Sequence, residues 1–346
     1  MPDSDLWTVA VAAEVQSLQD NQTFEVVHKQ SLPSGAKTLS FRWVFAIKEA
    51  TDNTPLRYKA RLVVRGDYQR EGLDYGEVYS PVVNGPTLRL MLAIAAERDY
   101  ELDQLDAVTA FLNAPLEEEL YMRVPDGYAG VSPDHVLRLR KSLYGLKQAP
   151  RCWNQMLSDW LLTYGLQQSL VDACLYVLPG KLWVAFWVDD FLVMGASKQL
   201  TTEFKNAISQ RFKMRDLGSI QNFLGMEVTR NRSARTLCET MQNHIATMAT
   251  RFGVDEAKPV DTPLPPKLAL SADEGGTRLG PRTPYRAIVG SLLYIATWAR
   301  PDIAFAVTQL ARWQGAPTEM HWTAAKHVLS QVHEHTGHCL SSTCAC

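Results

Sequence analysis

Apolar positions repeat with two different periods along the chain, and the changes of period mark its elements. Trp7, Ala10, Val11, Glu14, Val15 and Leu18 fall at helical spacing, Asp20-Asn21 interrupts them, and Thr23-Phe-Glu-Val-Val27 then alternates, so a helix followed by a strand is expected. Ser40-Phe-Arg-Trp-Val-Phe-Ala-Ile47 and Tyr58-Lys-Ala-Arg-Leu-Val-Val64 read as two strands joined by a polar turn through Asp52-Asn53, a hairpin carrying Lys59 and Arg61 at alternate positions of one face. Pro86-Thr87 opens a helix with Leu88, Met91, Leu92 and Ala95 inward and Thr87 as N-cap. A short strand ends at Asp106, and the turn after it through small residues leaves free backbone amides beside the carboxylate. Pro150 starts a helix whose inner face is Trp153, Met156, Leu157, Trp160, Leu161 and Tyr164, with Gly165 as its stop. Trp322, Ala325 and Leu329 mark a last helix, beyond which Thr336-Gly337 and a Ser-Ser-Thr run cannot bury a periodic face.

The most apolar alternation is Lys181-Leu-Trp-Val-Ala-Phe-Trp-Val-Asp189-Asp190-Phe-Leu-Val-Met-Gly195, which reads as a hairpin with two carboxylates at or beside its turn. Asp is a common turn residue, but adjacent like charges beside buried strands are costly unless a cation neutralises them. Asp106 at its strand end supplies a third carboxylate. Three such groups form the minimal oxygen cage for two magnesium ions, which would activate a 3′-hydroxyl and neutralise a leaving pyrophosphate.

Composition narrows the setting. The 346 residues carry a net charge of −2 and 46% apolar residues, as suits a globular protein of two or three compact units. No apolar run approaches a membrane span and the start Met-Pro-Asp-Ser-Asp is not a signal peptide, so an intracellular, reducing setting is expected, cytoplasmic or nuclear, with no membrane partner. Cys152, Cys174 and Cys238 stand isolated, and Cys339, Cys344 and Cys346 lack zinc-binding spacing. The near-neutral total hides two basic blocks: Lys37 to Arg70 has eight basic residues against three acidic ones, and Arg138 to Arg151 has five and no acid. Interleaved with Trp43, Tyr58, Tyr68 and Tyr144, they suit a solvated face, a polyphosphate backbone or a triphosphate.

One ordered set of motifs is far more specific. Arg-Tyr-Lys-Ala-Arg-Leu-Val (57 to 63), Gln-Leu-Asp-Ala-Val-Thr-Ala-Phe-Leu-Asn (104 to 113), Lys-Ser-Leu-Tyr-Gly-Leu-Lys-Gln-Ala-Pro-Arg (141 to 151) and Val-Asp-Asp (188 to 190) stand in sequence. Met214-Arg-Asp-Leu-Gly218, Phe223-Leu-Gly-Met-Glu227, Lys258-Pro-Val-Asp-Thr-Pro263, Val289-Gly-Ser-Leu-Leu-Tyr294 and Arg300-Pro-Asp-Ile303 continue it. Over nearly all of residues 5 to 329 the chain resembles the reverse transcriptase domain of copia-type LTR retrotransposon polyproteins. The resemblance implies an α+β right-hand polymerase. Fingers would be built from residues 1–96 and an inserted segment near 113–150, an antiparallel-sheet palm from 97–235, and thumb or connection helices from 236–329. Residues 330–346 are expected as an irregular tail.

The same resemblance implies the roles. Asp106, Asp189 and Asp190 match the metal-binding and catalytic triad for two Mg2+ ions, with Mn2+ as a substitute. Lys59 and Arg61 match the hairpin that grips the incoming dNTP, Tyr144 and Gly145 the segment under the nascent base pair, and Phe111 the position beneath the sugar, where a core aromatic is the alternative. Phe223, Leu224, Gly225, Met226 and Glu227 match the primer grip. Implied partners are an RNA template, a DNA primer and template, dNTPs, and in a full element the ribonuclease H, integrase and capsid parts. The chain departs from the pattern at Trp187, where Tyr is usual, at Asn113-Ala114, where Asn-Gly is common, and after Leu329, where no ribonuclease H pattern follows. Two functions stay open on these residues: an RNA- and DNA-templated DNA polymerase, or a decayed, non-enzymatic nucleic-acid-binding remnant.

Overall fold

Alternation and helical periodicity are borne out where they are strongest in the computed structural model, which describes residues 3–48, 56–125, 128, 130–258, 260–265, 268, 270, 277–334 and 338–341. Helix α1 (Ser4–Asp20) buries Val15 and Leu18 and is followed by β1 (Phe24–His28). Strands β2 (Thr38–Leu39), β3 (Phe41–Lys48) and β4 (Arg57–Val64) come next. β3 and β4 pair antiparallel from Phe41 opposite Val64 to Lys48 opposite Arg57, while the Asp52-Asn53 turn lies outside the described residues. Helix α2 (Gly85–Arg98) leads into β5 (Glu101–Ala107), β6 (Pro115–Met122), β7 (His135–Lys141) and α3 (Ala149–Thr163). Then follow β8 (Gln167–Gln168), β9 (Leu175–Leu178), β10 (Leu182–Trp187), β11 (Asp190–Gly195), α4 (Lys198–Arg211) and β12 (Met214–Ser219). Strands β13 (Asn222–Phe223), β14 (Met226–Asn231) and β15 (Thr236–Thr240) precede helices α5 (Gln242–Phe252), α6 (Tyr285–Trp298), α7 (Ala304–Ala311) and α8 (Glu319–Glu334). Strand β16 (His338–Ser341) closes the described chain.

The architecture is α+β, as expected. Its centre is a six-stranded sheet in the order β12-β5-β11-β10-β9-β8, antiparallel throughout. Leu105, Phe186, Phe191 and Val193 of that sheet share one core with Trp153, Leu157 and Leu161 of α3 and Phe204 and Ile208 of α4. Beneath it Asp103, fully buried, accepts from Lys198 and Lys205, and Lys205 also reaches Asp216. The sheet β1-β7-β6-β2 has a smaller core of its own, in which Leu39, Leu120, Met122, Leu137 and Leu139 meet Leu18, Leu62 and Val64. Residues 115–141, which interrupt the chain between β5 and α3, therefore complete a sheet begun by the N-terminal strand. The third sheet is β13-β14-β15-β16. Among the described residues no helix is long and apolar enough to cross a membrane.

Several local expectations are corrected. Thr87 is not the N-cap of α2: Asn84 holds that position, and the Asp172 carboxylate, from the β8–β9 connection, accepts from the Asn84 amide (2.9 Å), the Asn84 side chain (3.1 Å) and Thr87 Oγ1 (2.6 Å). Tyr164, expected inward on α3, is exposed, because it caps the helix one residue beyond its end. The helical region does not begin at 236, since Thr236–Thr240 is the strand β15 in register with β14. Nor is the chain irregular from 330: α8 continues to Glu334 with Ser330, Gln331 and Val332 buried, and β16 pairs with β15. Cys238 is not isolated but disulfide-bonded, with Cys339 as its register partner across β15 and β16.

Candidate active site

Strands β10 and β11 are joined by a two-residue turn, because Trp187 pairs with Asp190 and leaves only Val188 and Asp189 between them. Val188 adopts φ 55°, a left-handed conformation costly for a β-branched residue, and its carbonyl is held by a 2.8 Å hydrogen bond from Trp153 Nε1. The turn is thus fixed from the α3 side. Across the sheet Asp190 lies directly opposite Asp106, and on the other flank of β5 Arg215 lies opposite the same Asp106. Directly opposed residues point to one face, so the carboxylates of Asp106 and Asp190 are neighbours. The amides after Asp106 are not free: Ala107 N donates to Asp189 O at 2.7 Å, and Val108 N donates to Lys213 O at 2.8 Å. These bonds tie the strand end to the catalytic-candidate turn.

Asp106, Asp189 and Asp190 line one cleft of about 750 Å3 together with Lys59, Arg61, Tyr144, Lys213, Arg215 and the inner face of α1. Burial first, then the charges of Asp189 and Asp106, push the Asp190 carboxyl up to about 6. Burial also raises Asp106; Arg215, 3.8 Å away, opposes it, Asp189 adds to it, and Lys59 and Arg61 oppose it more weakly. Carboxylates in this condition are what a hard divalent cation relieves, so the residues present fit magnesium. They are not gathered into a finished cage, for among the described residues no three carboxylate, imidazole or thiolate side chains stand close enough to hold an ion.

Lys59, Arg61 and Tyr144 line the same cleft. The Arg61 guanidinium sits over the Tyr144 ring, 4.8 Å from its centroid, and Phe111 meets the same ring edge-on at 5.0 Å. Phe111, half-buried in the 3-10 turn Ala110–Asn113, packs against both cores and touches the cleft through Tyr144. Gly145, at φ 93°, stands so close to β4 that a Cβ would lie 2.1 Å from the Val64 carbonyl oxygen, and Val64 N donates to Tyr144 O at 2.8 Å. Its lack of a side chain admits the backbone of β4.

Phe223 to Glu227 forms the expected hairpin. Phe223 pairs with Met226, and Leu224 (φ 49°) and Gly225 (φ 76°) both take the left-handed conformation that a tight two-residue turn requires. Phe223 and Met226 are core residues, so the hairpin presents its backbone tip, where Leu224 O accepts from Tyr294 Oη at 2.6 Å. Glu227 is engaged elsewhere: its carboxylate accepts from Asn243 N, Asn243 Nδ2 and Thr240 Oγ1 at the start of α5. Edge-to-face contacts connect the two hairpins, from Trp187 to Trp298 (5.4 Å) and from Trp298 to Tyr294 (6.4 Å).

Residues 21–266 match the family model described as reverse transcriptase (RNA-dependent DNA polymerase). The chain belongs to the reverse transcriptase family. It is 39% identical, over 98% of its length, to the Retrovirus-related Pol polyprotein from transposon TNT 1-94 of Nicotiana tabacum, of which it covers 26%. It is also 39% identical, over 94% of its length, to the polyprotein from transposon RE2 of Arabidopsis thaliana, of which it covers 22%. The chain thus spans about a quarter of these curated relatives. Among solved structures, a foamy viral protease-reverse transcriptase in complex with double-stranded DNA aligns over 95% of this chain and 48% of its own, with 10% identity and a TM-score of 0.44. Of the residues lining the cleft of this reverse transcriptase domain, sequence reasoning missed Arg215, Lys213 and Glu14. Glu14 carried a signal, as the one acid among the apolar positions of α1.

Proposed function

We propose that the chain is an RNA-directed, and also DNA-directed, DNA polymerase that extends a primer with dNTPs. The observation that carries this is the cleft itself, in which Asp106 and Asp190 oppose each other, Asp189 stands at the adjoining turn, and Lys59 and Arg61 face them. Asp106, Asp189 and Asp190 would hold two magnesium ions, with manganese as a substitute; when bound, the metals lower the pKa of the primer 3′-hydroxyl and neutralise the departing pyrophosphate. The 3′-oxygen attacks the α-phosphorus as its proton passes to solvent water, and the bond between the α-phosphorus and the oxygen bridging to the β-phosphorus breaks, giving an extended primer and pyrophosphate. Lys59 and Arg61 balance the triphosphate charge. Tyr144, braced by Phe111 and by the Gly145 backbone contact, forms the floor beneath the base pair and sugar, while the Leu224–Gly225 tip, set in place by the flanking Phe223, Met226 and Glu227, holds the primer strand. RNA and DNA templates are the partners, with ribonuclease H, integrase and capsid parts in a full polyprotein.

A second reading is a nucleic-acid-binding remnant without turnover, for which Lys59, Arg61, Lys213 and Arg215 of the cleft would supply the phosphate contacts. Magnesium-dependent extension of a DNA primer on RNA and on DNA templates separates the two. Incorporation of dNTPs with both templates is expected; tight template binding with no incorporation in either metal would overturn the polymerase reading.

A further inference from the structure

Helix α1 forms one wall of the cleft, and a single acid on it reaches the strand that carries the cleft's cations. Glu14 Oε1 accepts a hydrogen bond from the Leu62 amide at 3.1 Å, an outward-facing donor on β4 immediately after Arg61. Two turns earlier Trp7 sets its ring edge-on to Tyr58 of β4 (4.7 Å) and to Phe45 of β3 (5.1 Å). The β3–β4 ribbon is a two-stranded sheet with Val44, Phe45 and Ile47 exposed, and such ribbons do not hold their own position in water. Its orientation over the carboxylates therefore depends on what it leans against, which is the small core that takes Leu62 and Val64, Tyr144 at one end, and α1.

The charge of Glu14 matters as well as its hydrogen bond. Burial raises the Glu14 carboxyl, the Leu62 amide and then Arg61 and Lys59 oppose that rise, and the same two cations act on Asp106 across the cleft. Cations that face Asp106 are drawn toward the carboxylates that the reaction needs. A carboxylate on α1 balances that pull. We propose that Glu14 is a positioning residue for nucleotide binding: by holding the Leu62 amide and facing Arg61 and Lys59, it keeps both cations extended over the triphosphate position. The role rests on the reading of the cleft given under Proposed function.

Three variants of the whole chain test it: Glu14→Ala, Glu14→Gln, and Arg61→Ala as a control on the parent reading. Hydrogen exchange at the Leu62 amide is read without nucleotide, affinity for a fluorescent dATP analogue is read by titration with magnesium, and primer extension supplies KM and kcat. Glu14→Ala should lose protection at Leu62 and weaken dATP binding about tenfold, the size of one charge-assisted hydrogen bond, with kcat at saturating dNTP changed less than about threefold. Glu14→Gln, which keeps an acceptor oxygen but loses the charge, should retain the Leu62 protection and recover only part of the affinity. Unchanged dATP affinity in Glu14→Ala despite lost Leu62 protection overturns the proposal, as does a fall in kcat with KM unmoved. Loss of protection throughout the molecule in that variant also overturns it, by making Glu14 a residue of general stability. If Arg61→Ala leaves dATP affinity unchanged, the parent reading of the cleft fails, and the positioning role fails with it.

Discussion

Replacing Asp190 with Asn should stabilise the metal-free protein while abolishing extension. The carboxyl is raised from 3.8 to about 6, chiefly by burial and then by Asp189 and Asp106. That is a little over two decades of proton affinity, roughly 3 kcal/mol at 1.36 kcal/mol per decade. Asp190 is half-buried and retains solvent contact, so screening reduces this to about 1–2 kcal/mol. The sign follows from linkage: a group whose pKa is higher folded than unfolded contributes stability fully below about 4 and loses it as pH rises through about 6. Wild-type protein in chelator should therefore lose stability between pH 5 and pH 8, and Asp190→Asn, which has no charge to bury, should gain most at pH 8. For a chain of this length the gain corresponds to a melting temperature higher by about 2 °C. Thermal melting at pH 5 and pH 8, with chelator and with excess magnesium, reads it directly, and magnesium should shrink the difference by neutralising the wild-type carboxylate. A variant no more stable than wild type at pH 8 in chelator, or an advantage that grows on acidification, would refute the electrostatic account of this cleft.

Other outcomes test the frame around the site. Asp103→Ala leaves the largely buried Lys205 with only the half-exposed Asp216 as partner and should cost about 3–5 kcal/mol by denaturant unfolding; a loss below about 1 kcal/mol would mean that Asp216 alone satisfies Lys205. Asp172→Ala removes the carboxylate that serves the start of α2 from another part of the chain, with an expected cost of about 1–2 kcal/mol and faster hydrogen exchange at Asn84. Phe111→Val frees the Tyr144 ring on one side and should raise ribonucleotide incorporation relative to deoxyribonucleotides by about tenfold, or 1.4 kcal/mol; an active variant with unchanged sugar preference would assign that choice to Tyr144 alone.

The parts of this fold that were legible in the sequence are those whose cause is local. Alternation across Leu182 to Trp187 and the two carboxylates after it define a hairpin without reference to the rest of the chain, and so do the helical stripes of α1, α2 and α3. The Gly225 turn was carried by the family likeness and has a local cause as well, since few residues other than Gly accept its backbone angles. What could not be read depended on partners distant in sequence. Thr87 looks like a cap until its hydroxyl is found donating to Asp172, 85 residues later. Asp106 looks as if free amides follow it until Asp189 and Lys213 are brought alongside. The role of Glu227 likewise waits on Asn243, and the place of residues 338–341 waits on β15, whose edge gives β16 a place to pair.

The pairing of β1 with β7 has a consequence during synthesis. Val27 must meet Val136, and His28 must meet His135, so the N-terminal strand leaves the ribosome more than a hundred residues before its neighbour does. At roughly 5–20 residues per second this is a wait of about 5–20 s. Throughout that interval the edge of β1 that pairs with β7 is made but not yet covered. A nascent chain of this type is most exposed to misassociation while its first third is complete and its middle is still being translated. Slow codons before residue 141 would lengthen that exposure, whereas slow codons after it would give the first sheet time to close.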